Sequence, residues 1–203
     1  MISIVDYGAG NLRSVCNAIG ALGYKAALVT KPEEVLAARV LIFPGVGAAA
    51  SAMENLKKQG LDDAIRQYVS SGRYLLGVCL GLQLLLGRSE ENGRQPCLDI
   101  VPGVVKKLPA GQKIPHMGWN QVRQKMSHPI FDGVPDGENF YFVHSYYAQP
   151  EDEKLVAGET DYGTKFCSVL VRDNLIAMQF HPEKSGGVGL KMYQNFIKLA
   201  EKC

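Results

Sequence analysis

No run of about 18 apolar residues occurs anywhere in the chain, so no segment has the pattern of a membrane-spanning helix. Charge of one sign is not in excess either. Lys and Arg total 22 and Asp and Glu 20, which leaves no strong field to recruit nucleic acid or an acidic lipid surface. The opening residues, "MISIVDYGAG", lack the basic start and long apolar stretch of a secretion signal. The five cysteines, Cys16, Cys79, Cys97, Cys167 and Cys203, are odd in number and never spaced as CxxC. That excludes a disulfide framework and a zinc-finger pattern, and reduced thiols in a cytoplasm are expected. No repeat, low-complexity tract or linker breaks the 203 residues, so one domain over 1–203 is expected, with no metal and no cofactor.

What is there begins with alternation. Apolar strand patterns at 2–5, 26–29, 40–43 and 74–78 are interleaved with helical spacing at Leu12, Val15, Cys16, Ile19 and Leu22, at 48–59, and at Leu61, Ala64, Ile65, Tyr68 and Val69. Another helix is expected from "LGLQLLLG". Strands alternating with helices imply βαβ units and a parallel sheet covered on both faces. The second half reads as strands at 104–107, 139–147, 154–159, 165–171 and 174–179, with a turn at "RDN", and a closing helix through Leu190, Tyr193, Ile197 and Ala200. The expectation is one α/β domain: a flavodoxin-like or Rossmann-like sandwich with a mixed central sheet flanked by helices.

Three glycine-rich stretches imitate nucleotide sites and fail as such. "GAGNLR" has Arg13 at the third glycine position of GxGxxG, "GVGAAA" follows the third strand and lacks a downstream ribose-binding acid, and "GETDYGTKF" reads as strand.

The chemistry concentrates at Gly77-x-Cys79-x-Gly81, where a buried strand pattern passes into a helix pattern. Flanking glycines permit a sharp nucleophile turn, and a helix N-terminus beside the thiol favours the thiolate. The Leu80 N–H would face an oxyanion. Taken alone, the motif reads first as a small buried residue with glycines at a helix start, since free cysteine is among the most buried residue types. A nucleophilic cysteine needs a base and the base an orienting acceptor. Of the four histidines, His128 reads as a surface turn, whereas His181 ends the strand pattern "LIAMQF", with Glu183 two residues on. Ends of parallel strands are where open α/β sheets build sites. Spacing and chemistry alone reach a cysteine-dependent amide hydrolase.

"GVCLGLQLL" followed about 100 residues later by "QFHPEKS" resembles the class I, triad-type glutamine amidotransferases, and the resemblance covers essentially the whole chain. It implies glutamine as substrate, Cys79 as nucleophile, His181 as base and acid, and Glu183 as orienter of the imidazole. It also implies an oxyanion hole from "PGVG", through Val46 or Gly47, together with Leu80. Gln83, Glu91 and the pair Ser145 and Tyr146 of "HSY" correspond to glutamine-binding positions, with His144 structural. "IVDYGAGNLRSV" and "IPHMGWNQV" resemble the branch whose members pass ammonia to a (β/α)8-barrel cyclase subunit in histidine biosynthesis, as a heterodimer. In that branch Asn11, Trp119 and Lys184 correspond to partner-interface positions, and His116 to a structural or interfacial one. A glutaminase subunit of a different synthase, a stand-alone γ-glutamyl hydrolase and a redox sensor with an oxidisable elbow cysteine remain the alternatives.

Overall fold

The structure is a computed structural model and describes residues 1–202; Cys203 lies outside the described residues. Its first half alternates as the apolar pattern demands. The elements are β1 (Ile2–Val5), α1 (Leu12–Ala21), β2 (Ala26–Val29), α2 (Pro32–Ala37), β3 (Leu41–Gly45), α3 (Ala49–Gln59), α4 (Leu61–Ser70), β4 (Leu75–Cys79) and α5 (Leu80–Leu84). The second half is strand-rich: β5 (Leu86–Ser89), β6 (Gln95–Pro96), β7 (Val101–Lys107), β8 (His116–Gln124), β9 (Glu138–His144), β10 (Tyr146–Pro150), β11 (Val156–Asp161), β12 (Lys165–Arg172) and β13 (Leu175–Met178). The closing helix is α6 (Gly186–Glu201).

The sheet runs β2-β1-β3-β4-β13-β12-β10-β7-β5-β6. Its first five strands are parallel, and β12 turns antiparallel against β13. Successive side chains of a strand point to opposite faces. Leu41, Phe43, Leu75, Leu175 and Ala177 therefore meet α2, α3 and α4 on one side. Ile42, Leu76, Val78, Ile176 and Met178 meet α1 and α6 on the other. Both faces are apolar because both are covered, as the near-continuous apolar runs require.

Several expectations change. The strand expected at 139–147 is two strands: β9 pairs with β8, whereas β10 pairs with β7 and β12. The chain changes partners at Ser145, between them. The helix expected after Cys79 ends at Leu84, because Leu86 already pairs with β7. α2 carried no marked pattern in six residues, yet Pro32 starts it, and Glu34 Oε2 accepts the Thr30 and Lys31 N–H groups at 2.9 and 3.2 Å. No helix among the described residues is long and apolar enough to cross a membrane.

Candidate active site

Cys79 is the last residue of β4 and sits at φ 55°, ψ −108°, left-handed territory that a residue with a Cβ rarely adopts. The strain is imposed by what surrounds the turn. A Cβ on Gly81 would run into the Phe43 carbonyl oxygen, and one on Gly77 would lie 3.0 Å from Leu85 Cδ1 and 3.1 Å from Ala177 Cβ. Only glycine lets the chain leave β4 this sharply against β3 and β13. The elbow exists as expected, but α5 has five residues, too few for a large helix dipole. What the turn supplies to the thiol is the N–H of Leu80 at the head of α5, one of the helix-start donors that lack an intrahelical acceptor.

Cys79 opens into a cleft of about 410 Å³. Val46, Gly47 and Leu80 form one wall beside the sulfur; Gly45, which precedes Val46, is the direct cross-strand partner of Cys79. Gln83, Glu91, Ser145 and Tyr146 line the rest, with Lys184 at the mouth. A second cleft of about 400 Å³, between Arg66, Asp99 and Arg172, lies at the opposite ends of β4 and β13 and is lined by neither cysteine nor histidine. Chemistry, not size, separates the two.

His181 lies three residues beyond β13, in the chain leaving it, and is 2% exposed. Its backbone is tied on both sides. The His181 N–H donates to the Tyr141 carbonyl at 2.9 Å, and the His181 carbonyl accepts the Ser185 hydroxyl at 2.7 Å. Ser185 Oγ in turn accepts the Tyr141 N–H at 3.0 Å. The ring Nδ1 donates to Glu183 Oε1 at 2.8 Å, since a carboxylate can only accept. Nε2 is buried and has no hydrogen-bond partner. Burial alone would lower the His181 pKa, but Cys79 and Glu183 more than offset it and push it up. A proton on Nε2 would therefore be held next to the sulfur, with no other group to receive it.

Other positions hold surprises. The Gln83 Nε2 group points inward, donating to the Tyr146 carbonyl at 2.7 Å and to Gln179 Oε1 at 3.2 Å. Glu91 Oε2 accepts the Ala49 N–H at 2.6 Å, which ties the loop to the start of α3. Asn11 occupies the N-cap position of α1, but its side chain accepts the Ser14 hydroxyl at 2.8 Å instead of capping. Asn11, Val46, His181 and Glu183 share a small gap behind the cleft. Trp119 lies outside both and is 58% exposed, so it is no core residue. It packs edge-on against Tyr141 at 6.1 Å, and Lys184 Nζ lies 5.9 Å from the centroid of the same Tyr141 ring. The three continue the cleft's mouth onto the surface. His128 caps a turn, its Nδ1 accepting the Ile130 N–H at 3.1 Å.

Three residues escaped the sequence reading. Tyr193, read only as a core position, also donates its hydroxyl to Glu183 Oε2 at 3.3 Å. Gln179 stands in "QFHPEKS" and directs Nε2 at Cys79 Sγ, 3.8 Å away. Met117, next but one to Trp119, is 61% exposed. Only the nearness of Gln179 to His181 in sequence could have drawn notice.

A strained cysteine elbow at the end of a parallel strand, facing a His–Glu pair in the chain that leaves the neighbouring strand, defines an α/β protein of the cysteine-hydrolase class. The model of the glutamine amidotransferase class-I family matches residues 3–199. The chain belongs to that family. It is 56% identical over 200 residues to imidazole glycerol phosphate synthase subunit HisH of Dehalococcoides mccartyi (strain CBDB1), covering 98% of each chain. It is 52% identical over 198 residues to the HisH subunit of Moorella thermoacetica, covering 98% of this chain and 94% of that one. The fold is shared with a crystal structure of a glutamine amidotransferase at a TM-score of 0.78 and 21% identity, covering 99% and 100% of the two chains.

Proposed function

We propose that this chain is the glutaminase subunit of an imidazole glycerol phosphate synthase. It hydrolyses glutamine to glutamate and ammonia and passes the ammonia to a cyclase subunit for histidine biosynthesis. The family and the named relatives support this over a free-standing hydrolase or a redox sensor. The observation that carries the chemistry is the buried, unpartnered Nε2 of His181, held by Glu183 and set beside the sulfur of Cys79.

The steps follow from that arrangement. The Cys79 thiolate attacks the side-chain amide carbon of glutamine. The oxyanion that forms takes hydrogen bonds from the Leu80 N–H and a backbone N–H at Val46 or Gly47. His181 delivers the Nε2 proton to the departing nitrogen as the C–N bond breaks, leaving ammonia and a glutamyl thioester. Neutral Nε2 then takes a proton from the attacking water, and collapse of the second tetrahedral intermediate frees glutamate and the thiolate. Glu183 holds the ring with Nδ1 protonated throughout. Gln83, Ser145, Tyr146 and Glu91 line the space for the amino-acid end of the substrate.

The partner is a (β/α)8-barrel cyclase, bound as a heterodimer in the cytoplasm, and the unit that docks is one amidotransferase domain over 1–203. Its footprint includes Trp119, Lys184 and Asn11. The exposed Trp119, its contact with Tyr141, and Lys184 at the cleft mouth support that surface, since exposed aromatic anchors are common hot spots. Docking there acts on "PGVG", where Gly47 at φ 94° allows the peptide to swing and present an N–H or a C=O to the cleft. Loss of one oxyanion donor typically costs ~10²–10³ in rate. Glutamine hydrolysis measured with and without the cyclase tests this: near-background turnover alone and orders of magnitude more in the complex are expected. Full activity of the isolated chain, or activation by the barrel of an unrelated synthase alone, would refute it.

A further inference from the structure

A chain of hydrogen-bonded polar groups runs from half-buried Asn120 on β8 inward to the nucleophile, and its direction is fixed. Asn120 Nδ2 must be the donor atom at one end, because it bonds the Asp161 carbonyl at 3.0 Å and Asn120 Oδ1 takes the Gln121 N–H at 2.8 Å. It lies 3.2 Å from His116 Nε2, which therefore accepts. His116 Nδ1 then donates to His144 Nε2 at 2.9 Å, and His144 Nδ1 donates to the Tyr146 carbonyl at 2.9 Å. Both rings are neutral in this pattern, and burial lowers the pKa of both, in agreement with it. The Tyr146 carbonyl cannot donate, so the atom that Gln83 turns to it at 2.7 Å is its amide nitrogen. The same nitrogen meets Gln179 Oε1 at 3.2 Å. Gln179, fully buried, is left with only one orientation, in which its NH₂ group faces Cys79 Sγ at 3.8 Å.

We propose that Gln179 is a catalytic residue that donates an amide hydrogen bond to the Cys79 thiolate, and that Gln83 and the Tyr146 carbonyl are what lock it in the donating orientation. This rests on Cys79 being the nucleophile. No proton is transferred. The N–H stabilises the anionic sulfur before attack and again when the thioester breaks. A hydrogen bond to a charged group is worth more than a neutral one, and an amide turned the other way would set an oxygen against the anion. Gln83 thus has a positioning role for its nitrogen in addition to lining the cleft.

The test follows Cys79 itself, so that it does not depend on glutamine turnover. In the full chain, alkylation of Cys79 by iodoacetamide is timed by peptide mass spectrometry, which separates it from the other cysteines. Gln179→Met, close in volume, should fold, and should slow Cys79 alkylation near pH 7 by about tenfold, with most of the rate regained near pH 9. Gln179→Glu, nearly isosteric, keeps the acceptor for Gln83 but turns an oxygen to the sulfur, and should slow it more. In the complex with the cyclase, kcat for glutamine should fall in the same order with KM little changed. Alkylation as fast as in the unaltered chain in whichever variant folds, or Gln179→Glu faster than Gln179→Met, would overturn the proposal. If instead Cys79→Ala kept glutamine turnover, it is the glutaminase reading that would fall.

Discussion

The Tyr193 hydroxyl donates to Glu183 Oε2, and His181 Nδ1 to Glu183 Oε1, so both oxygens of one buried carboxylate are spoken for. Tyr193 comes from α6, the helix that seals the face of the sheet beneath the site. Burial and the adjacent Glu183 raise its pKa well above the ordinary tyrosine value, so it stays a donor. Tyr193→Phe removes one hydrogen bond to a charged acceptor and nothing else. A fall in kcat of about three- to tenfold is expected, with a smaller loss than Glu183→Ala and an almost unchanged KM. Steady-state kinetics of the three proteins check the order. A kcat equal to that of the unaltered chain would mean the hydroxyl only fills space.

Glycine substitutions should divide by what a Cβ would meet. Gly81→Ala sets a methyl group against the Phe43 carbonyl, backbone that cannot give way, and folded yield should collapse. Gly20 lies exposed within α1 and has nothing within 4 Å of its Cβ position. Gly20→Ala should raise stability by about 0.5–1 kcal/mol through helix propensity. Thermal melts compare them, and a stable, active Gly81→Ala would contradict the account of the elbow.

Acid should weaken the fold through the His116–His144 pair. Burial holds His116 at about 4 and His144 at about 3, against an ordinary 6.5. Below pH 6.5 the unfolded chain takes up protons that these folded rings refuse. Their stabilising contribution is therefore complete above that pH and is lost progressively as pH falls toward 4 and 3. His181, shifted the other way, keeps its proton in the folded state throughout; it opposes the drop while the unfolded histidine is still gaining its proton near pH 6.5, and adds little slope well below that, so one opposing group faces two. The melting temperature should drop from about pH 7.5 to about pH 5, and the drop should shrink in His116→Phe, which keeps the stack between Phe142 and Tyr162. An undiminished drop in that variant would assign the acid sensitivity elsewhere.

Trp119→Ala and Lys184→Ala should leave the fold and its melting temperature intact, since both side chains are largely exposed. Each should weaken activation of glutamine hydrolysis by the cyclase by about tenfold or more, the scale of an interface hot spot. Titration of the cyclase into each variant reads this directly. Unchanged activation in both would remove Trp119 and Lys184 from the docking surface.

What could be read ahead was whatever has a local pattern. The parallel half of the sheet shows in runs such as "VLIF" and "YLLGV" because both of their faces are buried, and the elbow shows because Gly77 and Gly81 bracket Cys79 at fixed spacing. The His181–Glu183 pair was legible for the same reason. β8 was not, because its alternation is inverted. His116, Gly118 and Asn120 point inward, while Met117 and Trp119 face out. A strand that hides polar groups for a hydrogen-bonded chain and displays apolar ones looks like a loop to any hydrophobic pattern. β5 vanished into the apolar run that begins with α5, where helix and strand are indistinguishable by periodicity. The tasks of Tyr193 and Gln179 arise only when distant elements meet, at Glu183 on one side of the site and Cys79 on the other.

The central claim is that Cys79 releases ammonia here for chemistry performed in another subunit. The most direct measurement is product formation by the complex of Cys79→Ala with the cyclase, supplied in turn with glutamine and with an ammonium salt. The account predicts no product from glutamine and a near-normal rate from ammonium, because the alanine removes the nucleophile and leaves the acceptor site untouched. Product formed from glutamine by the Cys79→Ala complex, at a rate like that of the unaltered one, would contradict it.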